Sequence, residues 1–197
     1  WVVMAACRQL ARWQGTPYEH LRIAVNLSGR ELDDDELVNH IREALESENV
    51  PADRLEVELT EEVFIQNIER NLNQLSRLQQ LGVHLAIDDF GVGYSSLGYL
   101  RDFPVDVLKI DRSFINEVTN RHDDAVITRA VINLAHNLGM DVVAEGVETE
   151  AQLTFLKNNH CDVAQGYLIS RPIPAAKLEH AMADGSLLKR IAVTSEL

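Results

Sequence analysis

The sequence predicts an α/β fold built on a parallel sheet, and three observations predict it. Short apolar runs of strand length alternate along the chain with stretches whose apolar residues recur every three or four positions. Nearly every one of these runs places a polar residue at or near one end, which is how a site is assembled at the C-terminal edge of such a sheet. No Pro-rich or Gly/Ser-rich linker divides the 197 residues into separate pieces.

The opening stretch, Trp1 to Leu10, reads as an amphipathic helix already under way. Arg22 to Leu27 is the first strand and carries Asn26 near its end. Asp33 to Glu36 sit at the start of a helix marked by Leu37, Ile41 and Leu45, where acid complements the helix dipole. Arg54 to Glu61 is a strand that ends in acid, and Leu72, Leu75, Leu78 and Leu81 mark a helix ending at Gly82. Val83 to Ile87 is mostly apolar, as a strand covered on both faces should be. It runs into Asp88-Asp89-Phe90-Gly91-Val92-Gly93-Tyr94-Ser95-Ser96-Leu97, where the glycines allow a sharp turn. Asp106 to Asp111 carries Lys109 inside an apolar strand. Val126, Ile127, Ala130, Val131, Leu134 and Leu138 form the broad apolar stripe of a helix that stops before Gly139. Asp141 to Gly146 ends with Glu145, and Thr149 with Gln152 resembles a capping box opening a helix through Leu153 and Leu156. Asp162 to Gly166 ends with the amide of Gln165.

Six strand-helix units are counted, whereas a closed TIM barrel needs eight strands and typically about 250 residues. The chain also starts inside a helix and without an initiator Met. The expectation is a TIM-type (β/α)8-like barrel that is incomplete here, residues 1–197 forming one domain whose first one or two strands lie upstream.

Asp88 and Asp89 are adjacent carboxylates that repel each other unless a divalent cation or a shared proton neutralises them. A loop cap is the ordinary alternative. Singly, other strand-end residues have ordinary explanations too: Asn26 as a turn residue, Glu58 as a partner of Arg54, Glu145 as a turn anchor and Gln165 as a core amide. Lys109 alone reads as an ion pair with Asp111 or Asp106. Jointly, one dinuclear site accounts for all of them. Hard divalent ions take oxygen ligands, which suits Asp, Glu and an Asn carbonyl without any His or Cys cluster. A buried ammonium is costly unless carboxylates surround it, and there it can orient an attacking water.

The succession Asn26-Leu27-Ser28, Glu58-Leu59-Thr60-Glu61, Asp88-Asp89-Phe90-Gly91, Leu108-Lys109-Ile110-Asp111, Ala144-Glu145-Gly146-Val147-Glu148 and Gln165-Gly166-Tyr167 resembles the EAL domain family. That family comprises bacterial phosphodiesterases that linearise cyclic di-GMP to pGpG. The resemblance extends to Ser170-Arg171-Pro172-Ile173-Pro174. It implies a barrel holding two Mg²⁺ or Mn²⁺ ions. By that resemblance Asn26, Glu58 and Asp88 are ligands of one ion, with Asp88 bridging to a second that Asp89 and Glu145 serve. Lys109 and Gln165 hold or polarise the attacking water, Glu145 is also a proton acceptor, and Glu61 steadies the loop after Asp89. Glu148 receives no role, and the substrate-binding residues are left open. The Glu-Ala-Leu motif itself, with a glutamate ligand and a nearby arginine, is expected upstream of Trp1, so the chain alone is expected to be impaired in hydrolysis. Val92 stands where the family usually has Thr. A non-hydrolysing cyclic di-GMP receptor or signalling interaction module is the alternative.

Composition bounds the remaining classes. A net charge of −13 argues against a DNA or RNA polymer as partner. A small anionic dinucleotide remains compatible, because bound cations invert the sign of a carboxylate-rich site. Cys7 and Cys161 lie far apart without a CxxC pattern, so reduced thiols and a cytoplasmic compartment are expected. The seven histidines show no zinc-like spacing. No run reaches transmembrane length, so direct membrane insertion is not expected, although a parent protein can carry membrane, sensory or GGDEF-type domains. Open strand edges favour self-association, with a homodimer as the family's usual form.

Overall fold

The computed structural model describes residues 1–65, 68–93 and 100–185. The stretch Tyr94 to Leu97 of the acidic-loop motif therefore lies outside the described residues. The chain divides into two compact units, Trp1–Leu108 and Lys109–Leu197.

In the first unit, helix α1 (Val2–Trp13) leads to strand β1 (Ile23–Asn26), followed by α2 (Gly29–Leu32) and α3 (Leu37–Ser47). Strand β2 (Leu55–Thr60), helices α4 (Glu61–Ile65) and α5 (Ile68–Leu81) and strand β3 (His84–Phe90) complete the pattern. The three strands pair in parallel and in chain order, with Val25 opposite Val57 and Val57 opposite Leu85. Side chains alternate across a sheet, so this register sorts them into two faces. Val25, Leu55, Val57, Leu59, Leu85 and Ile87 share one face and are all buried. Asn26, Glu56, Glu58, Thr60, His84, Ala86 and Asp88 share the other.

β3 thus alternates in sequence as it does in space, and it runs through both aspartates to Phe90 rather than stopping at Ile87. At the N-terminal edge, Arg22 pairs with Glu56 at 2.9 Å and reaches His84 Nε2 at 3.0 Å. Asp106 exchanges two hydrogen bonds with Leu85, its N–H donating to the Leu85 carbonyl and its Oδ2 accepting from the Leu85 N–H, each at 2.9 Å. Those bonds lead the chain into strand β4 (Val107–Ile110), within which the two units divide.

α3 buries Leu37, Ile41 and Leu45 as expected, together with Val38 and Ala44, whereas Leu72 and Leu81 of α5 are only half-buried. α5 buries Leu75 and Leu78, but also Asn71 and Gln74. Burial of these amides is compensated, since Asn71 Nδ2 donates to the Val63 carbonyl at 2.7 Å and Gln74 Nε2 to the Asp34 carbonyl at 3.0 Å.

The second unit continues with α6 (Arg112–Asn116), α7 (His122–Asn137), β5 (Asp141–Ala144), α8 (Glu150–Asn158), β6 (Val163–Ala164) and α9 (Ala175–Ala183). β5 and β6 pair in parallel, and the Glu145 N–H donates to the Ile110 carbonyl at 3.1 Å, tying the end of β5 to the end of β4. α7 departs from the sequence reading. Its buried face is Asp124, Thr128, Ile132 and Ala135, whereas Val126, Ile127 and Ala130 of the expected stripe are exposed. The helix packs against β5, and Asp124 is paired with Arg121 at 3.5 Å. The capping box of α8 forms as expected. Cys7 is buried and Cys161 half-buried, both as free thiols. Burial pushes the Cys161 thiol up to about 11, so it is inert at neutral pH. No described helix is long and apolar enough to cross a membrane.

Candidate active site

In the first unit the oxygen donors gather at the C-terminal ends of three neighbouring parallel strands. Asn26 is the last residue of β1 and stands opposite Glu58 on β2. Asp88 on β3 stands opposite Thr60, on the face that Glu58 shares. Pairing extends one residue past β1, where the Leu27 N–H donates to the Glu58 carbonyl at 2.8 Å and fixes Asn26 against Glu58. Glu58 is buried, Asp88 half-buried and Asn26 exposed. Arg54 spends its guanidinium on the His20 carbonyl at 2.6 Å and on Asp53 at 3.8 Å.

Two consecutive acids pose a geometric problem for a strand. Asp88 shares the polar face, so a regular strand would turn Asp89 to the apolar face with Leu85 and Ile87. The backbone avoids this by placing Asp89 at φ +53°, in left-handed geometry, and its carboxylate is exposed. The Asp89 N–H donates to Asp88 Oδ1 at 3.0 Å, fixing one carboxylate through the backbone of the next residue.

Glu61, the first residue of α4, is buried, and its Oε2 accepts from the Gly91 N–H at 2.9 Å. Its Oε1 is buried without a hydrogen-bond partner among the described residues. The loop after the aspartates is therefore held from below by a carboxylate.

In the second unit Lys109 is buried, with Nζ 2.8 Å from Glu145 Oε1. The neighbouring acids have other duties: Asp111 caps α6 through the Ser113 N–H at 2.9 Å, and Asp106 binds the Leu85 N–H. Glu145 and Gln165 line a polar cavity of about 220 Å³ together with Arg112, Asn116, Glu148 and Tyr167. Two close backbone approaches build it. Gly146 has φ +72°, and a Cβ there would stand 2.5 Å from Arg112 Cβ. Gly166 packs on Val147, whose N–H donates to the Gln165 carbonyl at 3.0 Å while its carbonyl accepts from the Leu168 N–H at 3.0 Å. Gln165 is exposed into this region rather than a core amide. Tyr167 is half exposed, with the Arg171 guanidinium 4.4 Å from its ring centre.

The structure thus brings together Asn26, Glu58 and Asp88 on one sheet face, Lys109 with Glu145, Glu145 with Gln165 around one cavity, and Glu61 with the loop after Asp89. Sequence reasoning missed Arg112, Asn116 and Tyr167 as lining residues and gave Glu148 no place. The capping aspartate at Asp111, two residues before Ser113, was the available signal for α6.

A donor set of carboxylates and one amide oxygen, with no Cys or His among the described residues at the C-terminal strand ends of the first unit's sheet, fits hard divalent cations such as Mg²⁺ or Mn²⁺.

Comparison with known proteins places these features in a family. The model described as EAL domain matches residues 1–172. Cyclic di-GMP phosphodiesterase NbdA of Pseudomonas aeruginosa is 49% identical over 179 residues, 91% of this chain and 23% of NbdA. The chain accordingly spans about a quarter of the length of the curated relatives it matches. The solved PaMucR phosphodiesterase in its c-di-GMP complex is 43% identical, with a TM-score of 0.87 over 90% of this chain and 72% of that one. Klebsiella pneumoniae BlrP1, solved with manganese and cy-diGMP, is 30% identical, with a TM-score of 0.78 over 86% of this chain and 44% of that one. Parallel strands alternating with helices, shared at this level with solved EAL domains, establish the (β/α)8-like α/β fold, and the chain belongs to the EAL domain family.

Proposed function

We propose that this chain is the phosphodiesterase domain of a protein that hydrolyses cyclic di-GMP to linear pGpG with two divalent cations. The observation that carries the reading is the register of the first unit's sheet, which sets Asn26, Glu58 and Asp88 on one face at the strands' C-terminal ends. Asn26, Glu58 and Asp88 would hold one ion, and Asp89 would serve the second. Mg²⁺ or Mn²⁺ bound there would supply Lewis acidity toward the phosphodiester and lower the pKa of the attacking water. NbdA is named a cyclic di-GMP phosphodiesterase, PaMucR is a phosphodiesterase solved in complex with c-di-GMP, and BlrP1 was solved with manganese and cy-diGMP.

The chain's own groups have separable tasks. Lys109 presents a buried ammonium that orients the attacking water and offsets charge developing on the phosphoryl oxygens. Glu145, held through Oε1 by Lys109, would accept the water's proton. Gln165 orients the same water through its amide. Glu61 fixes the backbone after Asp89 through the Gly91 N–H.

The test is release of pGpG from cyclic di-GMP by chromatography, with Mg²⁺ or Mn²⁺ and with a chelator, on this chain and on a version extended upstream. Metal-dependent release supports the proposal. Metal-independent binding without turnover in both proteins would replace it with a receptor role.

A further inference from the structure

We propose that Gln152 is a positioning residue for the turn that carries Glu145. It is 5% exposed and uses both ends of its carboxamide. Nε2 donates to the carbonyls of Ile115 at 3.1 Å and Asn116 at 3.3 Å at the end of α6, the Ile115 carbonyl also accepting from the Val118 N–H at 3.3 Å. Oε1 accepts from the N–H groups of Glu148 at 2.8 Å and Thr149 at 2.9 Å, donors left over at the start of α8. One amide therefore bonds backbone groups at two helix ends, carbonyls at the end of α6 and N–H groups at the start of α8. The segments it joins are the ones that supply Arg112, Asn116, Glu145 and Glu148 to the polar cavity.

Capping alone does not require this arrangement. A capping box needs the acceptor half of Gln152 and the Thr149 hydroxyl, which accepts from the Gln152 N–H at 3.3 Å. The donor half reaches back 37 and 36 residues and has no part in the cap. Its effect is to set the end of α6 against the Glu145–Glu148 turn, and so the width of the cavity beside Glu145.

Two substitutions separate the halves. Gln152→Glu keeps an acceptor for Glu148 and Thr149 but turns a carboxylate oxygen toward two carbonyls. Thr149→Ala removes the cap hydroxyl and leaves the tie to α6. Amide hydrogen exchange is measured on the 197-residue chain, and cyclic di-GMP affinity by calorimetry. Gln152→Glu is expected to speed exchange at residues 112–116 and 145–147 and to weaken cyclic di-GMP binding, each by about tenfold, with residues 153–158 unchanged. Thr149→Ala is expected to loosen the start of α8 and to leave 112–116 protected.

Repulsion from the facing carbonyls raises the pKa of the introduced carboxyl. Protection at 112–116, relative to wild type at the same pH, should therefore return in Gln152→Glu as the pH is lowered toward 5, when the introduced side chain is protonated and regains a donor. That recovery also decides the matter if Gln152→Glu is poorly folded at neutral pH. Equal loss at 112–116 in both variants, or wild-type protection there in Gln152→Glu, overturns the proposal. Only the choice of ligand rests on the phosphodiesterase reading. Should the wild-type chain fail to bind cyclic di-GMP, that reading falls and the exchange contrast still decides the role of Gln152.

Discussion

Gly166→Ala tests how the second unit builds its part of the site. A Cβ at this position would stand 2.1 Å from the Val147 carbonyl oxygen, 2.3 Å from its nitrogen and 2.7 Å from its carbonyl carbon. Unstrained contacts between such atoms are about 3.5 Å or more, so the two segments must separate by roughly 1 Å. Every atom in the way is backbone, and no rotamer change can relieve the overlap. Separation stretches the bonds from the Val147 N–H to the Gln165 carbonyl and from the Leu168 N–H to the Val147 carbonyl. Two such bonds contribute about 1 kcal/mol each, and overpacking strain adds about 1–3 kcal/mol. The expected loss is about 3–5 kcal/mol, a large share of a typical domain's stability of about 5–15 kcal/mol.

Gly139→Ala is the matched control, because Gly139 lies at φ +79° with nothing within 4 Å of a built Cβ. It should cost only the left-handed backbone penalty of about 1–2 kcal/mol. Urea denaturation followed by circular dichroism gives both values. If Gly166→Ala costs no more than Gly139→Ala, the close approach does not hold Gln165 against the Glu145 turn.

Lys109→Ala should lower cyclic di-GMP turnover by about 10²-fold or more while the circular dichroism spectrum is retained; an unchanged kcat would remove Lys109 from the mechanism. Asp89→Gly should stabilise the fold by about 1 kcal/mol, because glycine relieves the φ +53° backbone. The same change should weaken Mn²⁺ binding, read by calorimetry, and a destabilised variant would show that the Asp89 backbone is not strained. Asp162→Asn addresses pH. Burial alone would raise the Asp162 carboxyl, but hydrogen bonds from His136 and the Val142 N–H and the charge of His136 outweigh it and hold the carboxyl below its ordinary value. A depressed carboxyl stabilises the fold above the unfolded-state value and loses that contribution as pH falls through the folded one. Wild type should therefore be more stable than Asp162→Asn at neutral pH, with the difference shrinking as pH drops below about 4. A gap that persists at low pH would assign the effect to packing.

What was legible in the sequence follows the cost of each arrangement. Lys109 stood out because an ammonium inside an apolar strand needs a partner, and Glu145 at 2.8 Å is that partner. The strand ends were legible because each carries a polar residue that an apolar strand interior would not tolerate. Helix faces were less so. The apolar stripe read from the sequence spans too wide an arc to define one face, and packing buried the side that carries Asp124, Thr128, Ile132 and Ala135. The short helices α2 and α6 have no periodicity to detect. Only their caps announce them, Ser28 with Glu31 and Asp111 with the Ser113 N–H.

The cavity lining was illegible for a different reason. Arg112 and Tyr167 meet Glu145 only because Gly146 and Gly166 admit backbone contacts that a Cβ would block, and a glycine does not name what it lies against. The adjacent aspartates invert that relation. Their position at the end of β3 was plain, yet period-two alternation would send Asp89 to the apolar face, so the sequence alone carries a contradiction. The backbone resolves it with one left-handed residue. A strained conformation at a non-glycine position persists when the surrounding structure over-determines it. Here the Glu61 carboxylate on the Gly91 N–H and the Asp88 carboxylate on the Asp89 N–H grip the chain on either side of Asp89. The strain is thus confined to the residue whose exposed carboxylate the proposed chemistry requires.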